Sequence, residues 1–314
     1  MTLVIGTDEA GYGPNLGPLV VAATAWRVAA DPAAAEPALA GAIAEALADH
    51  DGPLWDDSKR IYRGGAGFAA LEQGALVAAT LAAGRLPRSW SELAAALTCD
   101  RDVAPAPPEA ALIASAALPA DAAADACSAL AGRIGPRLAA RGATLVAIRC
   151  RIVQPAAFNG LLDTGRNKSD ILSHTTLQLA ADLTAGSSEP TLIWCDRHGG
   201  RRRYAPLLAG HFAAPLVHAV EETPTRSVYD LPAAACRVEF TVGGESRTPV
   251  AVASMMAKYV RELAMRAFND HWSRLDPQIA PTAGYPVDAA RWRRQAAATV
   301  AAAGIPWDAV WRRA

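Results

Sequence analysis

Asp8 and Glu9 stand side by side where an apolar run, Leu3-Val4-Ile5, gives way to Gly11-Tyr12-Gly13-Pro14. Ionised carboxylates are costly to bury without partners, so a pair at the end of a buried strand is either exposed or held by cations. The commonplace reading is a polar strand end closing a hairpin. The glycines shift that balance, because a Gly-x-Gly turn lets backbone approach a ligand closely and presents unobstructed N–H groups. The turn is not a dinucleotide fingerprint, since a third glycine at the required spacing is missing. Nor is it a Walker A loop, which needs Gly-Lys-Ser/Thr.

Other chemistry-bearing residues follow along the chain. Asp57-Ser58-Lys59 marks a helix start, where Asp57 or Ser58 can cap exposed N–H groups. A plain capped helix explains the triplet; the sharper reading has Ser58 and Lys59 meeting a phosphate at that helix N-terminus. Asp196 ends the apolar run Thr191-Leu192-Ile193-Trp194-Cys195 and precedes His198, Gly199-Gly200 and Arg201-Arg202-Arg203. An arginine run is ordinarily a solvated face, but beside a carboxylate site a phosphate contact becomes an equal contender. His198 is close enough in sequence to Asp196 to relay a proton there. Ser254, Lys258 and Arg261 share one face of a helix entered from Gly243-Gly244-Glu245. A solvent face is the bland alternative for that stripe. No histidine or serine arrangement offers a competing nucleophile.

These residues need a sheet and long helices to hold them. Strands are expected at Leu3-Val4-Ile5, 19–28, 144–153, 191–196, 216–220 and 238–242. Residues 29–50 are Ala-rich and helical in character. Ile171, Leu172, Thr175, Leu179 and Leu183 make an apolar stripe on a long helix ending near Gly186. A further helix covers 250–268, and the tail after Gly284-Tyr285 has a helical middle. Between about 85 and 145 alanine, proline and short polar breaks dominate, as in Ala104-Pro105-Ala106-Pro107-Pro108. That stretch reads as a hairpin or helical insertion away from the site.

Composition sets the outer bounds. The chain has 314 residues, 52% hydrophobic and 19% charged, enough for a sizeable core in one elaborated domain or two small ones. A net charge of -1 excludes a global basic field, so local patches must meet any nucleic acid. Cys99, Cys127, Cys150, Cys195 and Cys236 form no Cys-x-x-Cys pair. This odd, scattered set points to reduced thiols in a cytoplasmic protein and away from zinc. Neither a signal peptide nor a membrane span is expected.

Gly6-Thr7-Asp8-Glu9-Ala10-Gly11-Tyr12-Gly13-Pro14 with Gly17-Pro18-Leu19-Val20-Val21-Ala22-Ala23 resembles the opening motif of type 2 ribonuclease H, the ribonuclease HII family. Asp57-Ser58-Lys59 resembles its second motif, and the helix and strand leading to Asp196 its third segment. Ala253-Ser254-Met255-Met256-Ala257-Lys258-Tyr259-Val260-Arg261 matches the family's Ala-Ser-x-x-Ala-Lys-x-x-Arg helix. The resemblance implies an α/β fold: a ribonuclease H-like mixed β-sheet flanked by helices, with a helical C-terminal part. It implies a catalytic domain over 1–270, with the insertion, and a helical extension over 271–314. It also implies that Asp8, Glu9, Asp196 and Glu245 hold Mg²⁺ or Mn²⁺ for two-metal phosphodiester hydrolysis. The implied substrate is an RNA–DNA hybrid or DNA containing ribonucleotides, cut by a monomer with no membrane partner. Gly11, Tyr12, Gly13, Ser58, Lys59, Ser254, Lys258, Arg261 and Tyr285 are the implied substrate contacts. Two departures bear on the site: Glu245 stands where the family has aspartate, and Tyr12 stands where it has arginine. The family's histidine-bearing motif near the C-terminal tyrosine is also missing here. A non-catalytic nucleic-acid-binding relative and a same-fold nuclease for branched DNA remain alternatives at this point.

Overall fold

The structure, a computed structural model, describes residues 1–62, 67–98 and 107–313. Cys99 and Ala104-Pro105-Ala106 of the insertion lie outside them. The elements in chain order are β1 (Thr2–Ala10), β2 (Leu19–Val28), α1 (Ala35–Ala46), α2 (Ser58–Ile61), α3 (Gly67–Ala83), α4 (Trp90–Ala96), α5 (Ala110–Ala114) and α6 (Ala124–Ala140). They continue with β3 (Ala143–Val153), α7 (Pro155–Asp163), α8 (Lys168–Thr184), β4 (Thr191–Asp196), α9 (Ala205–His211), β5 (His218–Glu222), β6 (Arg226–Leu231) and β7 (Cys236–Thr241). Helices α10 (Thr248–Leu275) and α11 (Pro286–Ala302) complete the chain.

The strands form one seven-stranded mixed sheet in the order β3-β2-β1-β4-β7-β6-β5. β1 returns as β2 in antiparallel register, Thr2 opposite Val28 and Ala10 opposite Val20. On its other side β1 runs parallel to β4, and β4 runs parallel to β7. The carboxyl ends of β1, β4 and β7 therefore lie together along one edge of the sheet. Asp8-Glu9 and Asp196 sit at the ends of β1 and β4, and the Gly243-Gly244-Glu245 turn follows β7.

Strand alternation assigns each acid to a face. Val4 packs with Val250 and Val252 of α10 in the largest core, which also holds α1, α3 and α6. Leu3 and Ile5 pack on the opposite face with Leu177 of α8 and Leu208 of α9. Gly6 is needed where α10 meets β1: a Cβ there would lie 2.2 Å from the Pro249 carbonyl carbon. Continuing the alternation, Asp8 belongs to the α10 face and Glu9 to the α8 face. Asp196, two positions beyond the α10-facing Trp194, joins Asp8.

The insertion is anchored by a buried carboxylate. Glu72 of α3 accepts the N–H groups of Ala120 (2.8 Å), Asp121 (2.7 Å) and Ala122 (2.7 Å), and the Tyr259 hydroxyl of α10 (2.7 Å). Buried Cys127, Leu130, Ile134 and Leu138 bring α6 into the same core. Helix α10 runs unbroken through residue 270, and α11 packs back on its second half through Phe268, Trp272 and Trp292.

Some expectations need adjustment. Strand β5 begins at His218, two positions later than read from the sequence, and α10 is longer at both ends. Strand β6, α3 and α9 were not anticipated; Arg226-Ser-Val-Tyr-Asp-Leu231 is short and mixes charged with apolar residues. Cys127, Cys150, Cys195 and Cys236 are all buried and form no disulfide with one another. Among the described residues, no helix is long and apolar enough to cross a membrane.

Candidate active site

The carboxylates at the sheet edge act on one another. Burial, then the charge of Asp196, pushes the Asp8 carboxyl up to about 7, and Glu245 adds to the rise. Glu9 is held well above the usual carboxylate range, first by burial and then by Asp8 and Asp196. Asp196 is raised by burial and by Glu245, against the lowering effect of the Gly244 N–H it accepts. Asp8 and Glu9 keep some exposed surface, yet protein displaces most of the water around them. Lys59 is the cation that offsets both Glu9 and Asp196. Its side chain is exposed on α2, whose cap is Asp57: the Asp57 carboxylate accepts the Lys59 N–H at 2.8 Å.

Behind Asp8 lies a buried relay of hydroxyls. Ser254 of α10 hydrogen-bonds Asp8 and lies 3.1 Å, Oγ to Oγ, from Ser58. The second and fourth implied motifs thus meet on the α10 face, where they orient one carboxylate.

The donor set fits a hard divalent cation. It is all carboxylate oxygen, raised by mutual repulsion and burial, with one nearby ammonium group. Among the described residues, no three carboxylate, imidazole or thiol groups already converge on one metal-sized point. Asp8 Oδ1 accepts the Glu9 N–H at 2.8 Å, and Asp196 Oδ1 accepts the Gly244 N–H at 3.0 Å. Holding an ion would draw these side chains inward.

The Gly11-Tyr12-Gly13 turn is clamped from below. Gly11 has φ of +91°, and a Cβ there would lie 2.5 Å from the Pro18 carbonyl oxygen and 2.6 Å from Arg261 Nε. Gly13 has nothing within 4 Å of a Cβ, so its backbone faces open space. The Gly284 carbonyl accepts the Asn15 N–H at 2.8 Å, bringing the half-exposed Tyr285 to the same turn.

Two implied contacts already have partners within the protein. Arg261 is only 2% exposed and donates to the carbonyls of Leu16 and Ala283, both at 3.2 Å. It props the turn and presents no open surface to a phosphate. Lys258 pairs with Glu262 at 2.7 Å and lies 4.7 Å from the centroid of the Tyr62 ring, so its charge is already engaged. His198 is a core residue rather than a relay. It is packed against Tyr204 and Phe240, its Nδ1 is 3.0 Å from Ser173 Oγ, and burial pushes its pKa down to about 3. Arg312 plays a part that sequence reading missed. Buried near Arg261, it donates to the carbonyls of Gly11 and Pro14, and its N–H donates to Asn15. The terminal Arg-Arg was the signal, but nothing local said which partner it had.

No family model matches the chain, and no curated protein matches it. Among solved structures it is similar to RNase HII from Archaeoglobus fulgidus, in that protein's complex with PCNA: 15% identity, TM-score 0.45, covering 99% of this chain and 94% of that one. It is also similar to ribonuclease H2 from Pyrococcus horikoshii OT3, at 13% identity and TM-score 0.45, covering 98% and 92%. A third is Bst-RNase HIII in complex with Mn²⁺, at 16% identity and TM-score 0.42, covering 99% of this chain and 66% of that one.

Proposed function

We propose that this protein is a divalent-metal-dependent endoribonuclease acting on the RNA strand of RNA–DNA hybrids or on ribonucleotides embedded in duplex DNA. The observation that carries the reading is the set of mutually raised carboxylates Asp8, Glu9 and Asp196 at the ends of adjacent parallel strands. Asp8, Glu9, Asp196 and Glu245 would hold Mg²⁺ or Mn²⁺. When bound, such ions supply the charge that activates water and stabilises a leaving 3′ oxygen. Ser254, backed by Ser58, fixes the orientation of Asp8. Lys59 meets a backbone phosphate without reading sequence. A 2′-OH is what separates a ribonucleotide from its DNA neighbours. The open backbone at Gly13 is suited to approach that sugar, with the exposed ring of Tyr285 against the adjacent one.

Glu245, longer by one methylene than an aspartate, and Tyr12 in the turn favour a second reading, a nucleic-acid-binding protein without turnover. Incubation with Mg²⁺ or Mn²⁺ and three duplexes separates these. One duplex carries a single embedded ribonucleotide, one has a continuous RNA strand, and one is all DNA. Cleavage confined to the first two supports the proposal; strong cutting of all-DNA duplex rejects it. Binding without cleavage at any metal concentration selects the second reading.

A further inference from the structure

Tyr12 does not stand alone in its turn. The Lys168 ammonium, on the first residue of α8, lies 5.0 Å from the centroid of the Tyr12 ring. An ammonium on the face of an aromatic ring is attracted by the ring quadrupole and loses some of its freedom. Arg201 and Asp170 also act on the Tyr12 hydroxyl. Arg201 is held at the start of α8: its Nη2 pairs with Asp170 and its Nε donates to Ser169 Oγ at 3.3 Å. Asp170 is consumed further by the cap of α8, where it accepts the Asn167 N–H at 3.1 Å. Arg166 is exposed just before the helix, and its charge acts on His174 and His211. The acids facing this cluster are Asp170, Glu9 and Asp182, and Asp182 is itself engaged by Gln178 and Arg149. With Arg201 taken up by Asp170, Arg166 and Lys168 leave a net positive strip running from Tyr12 along the start of α8.

The strip lies on the α8 face of the sheet, whereas Lys59 approaches from the α10 face. The row of carboxylates lies between them. We propose that Lys168, seated on Tyr12, forms with Arg166 a second backbone-contacting surface for the polynucleotide, so that a duplex crosses the carboxylate edge from Lys59 to Arg166. This rests on the nuclease reading of the site. Tyr12 is a positioning residue in this arrangement: its ring presents the ammonium of Lys168 to the phosphate, in place of a cation on the turn itself.

The test measures binding of a fluorescent duplex with one embedded ribonucleotide, in Ca²⁺, over a series of salt concentrations. Each phosphate contact removed should flatten the slope of log K against log salt by about 0.9. Arg166→Ala/Lys168→Ala should lower affinity and flatten the slope by about two units. Lys168→Arg should restore its share, and Tyr12→Leu should lose part of it by freeing the lysine. Arg133→Ala/Arg137→Ala, on α6, should leave the slope unchanged. If the wild type binds and the Arg166/Lys168 variant shows the same affinity and slope, the second surface is wrong and the nuclease reading stands. If the wild type binds no duplex at all, the nuclease reading falls and this inference falls with it.

Discussion

Arg312 Nη2 lies 2.5 Å from the carbonyl oxygen of Gly11, a residue 301 positions earlier in the chain. The same guanidinium reaches Pro14, and burial together with Arg261 pulls its pKa down to about 9. Among the described residues no carboxylate forms an ion pair with either arginine, and backbone carbonyls are their hydrogen-bond partners. Arg312→Ala should strand the Gly11 and Pro14 carbonyls and cost about 1–3 kcal/mol for each acceptor left unpaired. Urea denaturation measures the loss, and cleavage should fall with it because the turn loosens. An unchanged denaturation midpoint would show that the clamp is incidental.

The two glycines of the turn should separate folding from function. Gly11→Ala meets both a positive φ and a backbone oxygen, and should destabilise by about 2–5 kcal/mol. Gly13→Ala has room and should fold normally. If a sugar does approach that backbone, Gly13→Ala will raise KM for the embedded-ribonucleotide duplex with no change in Tm. Normal kinetics for Gly13→Ala would remove Gly13 from the contact set.

Asp8 links pH to stability. Its ordinary value of 3.8 is raised to about 7 in the folded chain. For an acid so raised, the favourable contribution is full below the unfolded value and is lost as pH climbs through the folded one. Without metal, wild-type Tm should therefore fall between pH 4 and pH 7 relative to Asp8→Asn, which cannot ionise there. Mn²⁺ should return the lost stability to the wild type but not to the variant, and the variant should lose orders of magnitude in turnover. Parallel pH profiles of Tm in EDTA for the two proteins would contradict the buried-carboxylate account.

Glu239 has the opposite sign. Burial alone would raise it, but hydrogen bonds from Arg226 and Arg247 prevail and pull it from 4.5 to about 2. A depressed acid contributes stability above its unfolded value and loses it as pH falls through the folded one. Glu239→Gln should be less stable than wild type at pH 6, with the gap closing between pH 4.5 and pH 2. A gap independent of pH would mean that packing, not charge, is what Glu239 supplies.

Glu72 offers a stability test away from the site. Glu72→Ala leaves three partly buried N–H groups and a buried tyrosine hydroxyl without their acceptor and should cost about 1–3 kcal/mol. Glu72→Gln should be intermediate, because its amide NH₂ would face backbone donors. If Glu72→Ala melts like the wild type, another group must hold residues 120–122.

Much of the sheet was legible because its strands are local apolar runs ending in glycine or acid. Thr191–Asp196 could be bounded to the residue for that reason. The meeting of Asp8 with Ser254, which the sequence offered only as a substrate contact, was not legible, because it depends on Gly6 admitting α10, a contact that crosses the chain. The Ser254/Lys258/Arg261 stripe does lie on one helix, but the partners of Lys258 and Arg261 were not legible. Spacing gives the face and says nothing of the depth at which a long side chain ends. Arg261 ends beneath a turn and Lys258 on Tyr62, both set by distant segments. His198 was misjudged in the same way: it lies beyond the end of β4, where the chain leaves the strand and turns its ring into the core against Tyr204 and Phe240.

The clamp on Gly11 also has a consequence for how the molecule comes into being. A ribosome adding ~5–20 residues per second finishes the first hairpin long before it reaches Arg312. For the ~15–60 s that separate them at that rate, Asp8 and Glu9 exist beside a turn with no support from below. Asp196 and Ser254 arrive only in the second half of that interval. The nascent chain therefore carries its first acids as an inert fragment, and the turn beside them gains its support only once Arg312 has been made.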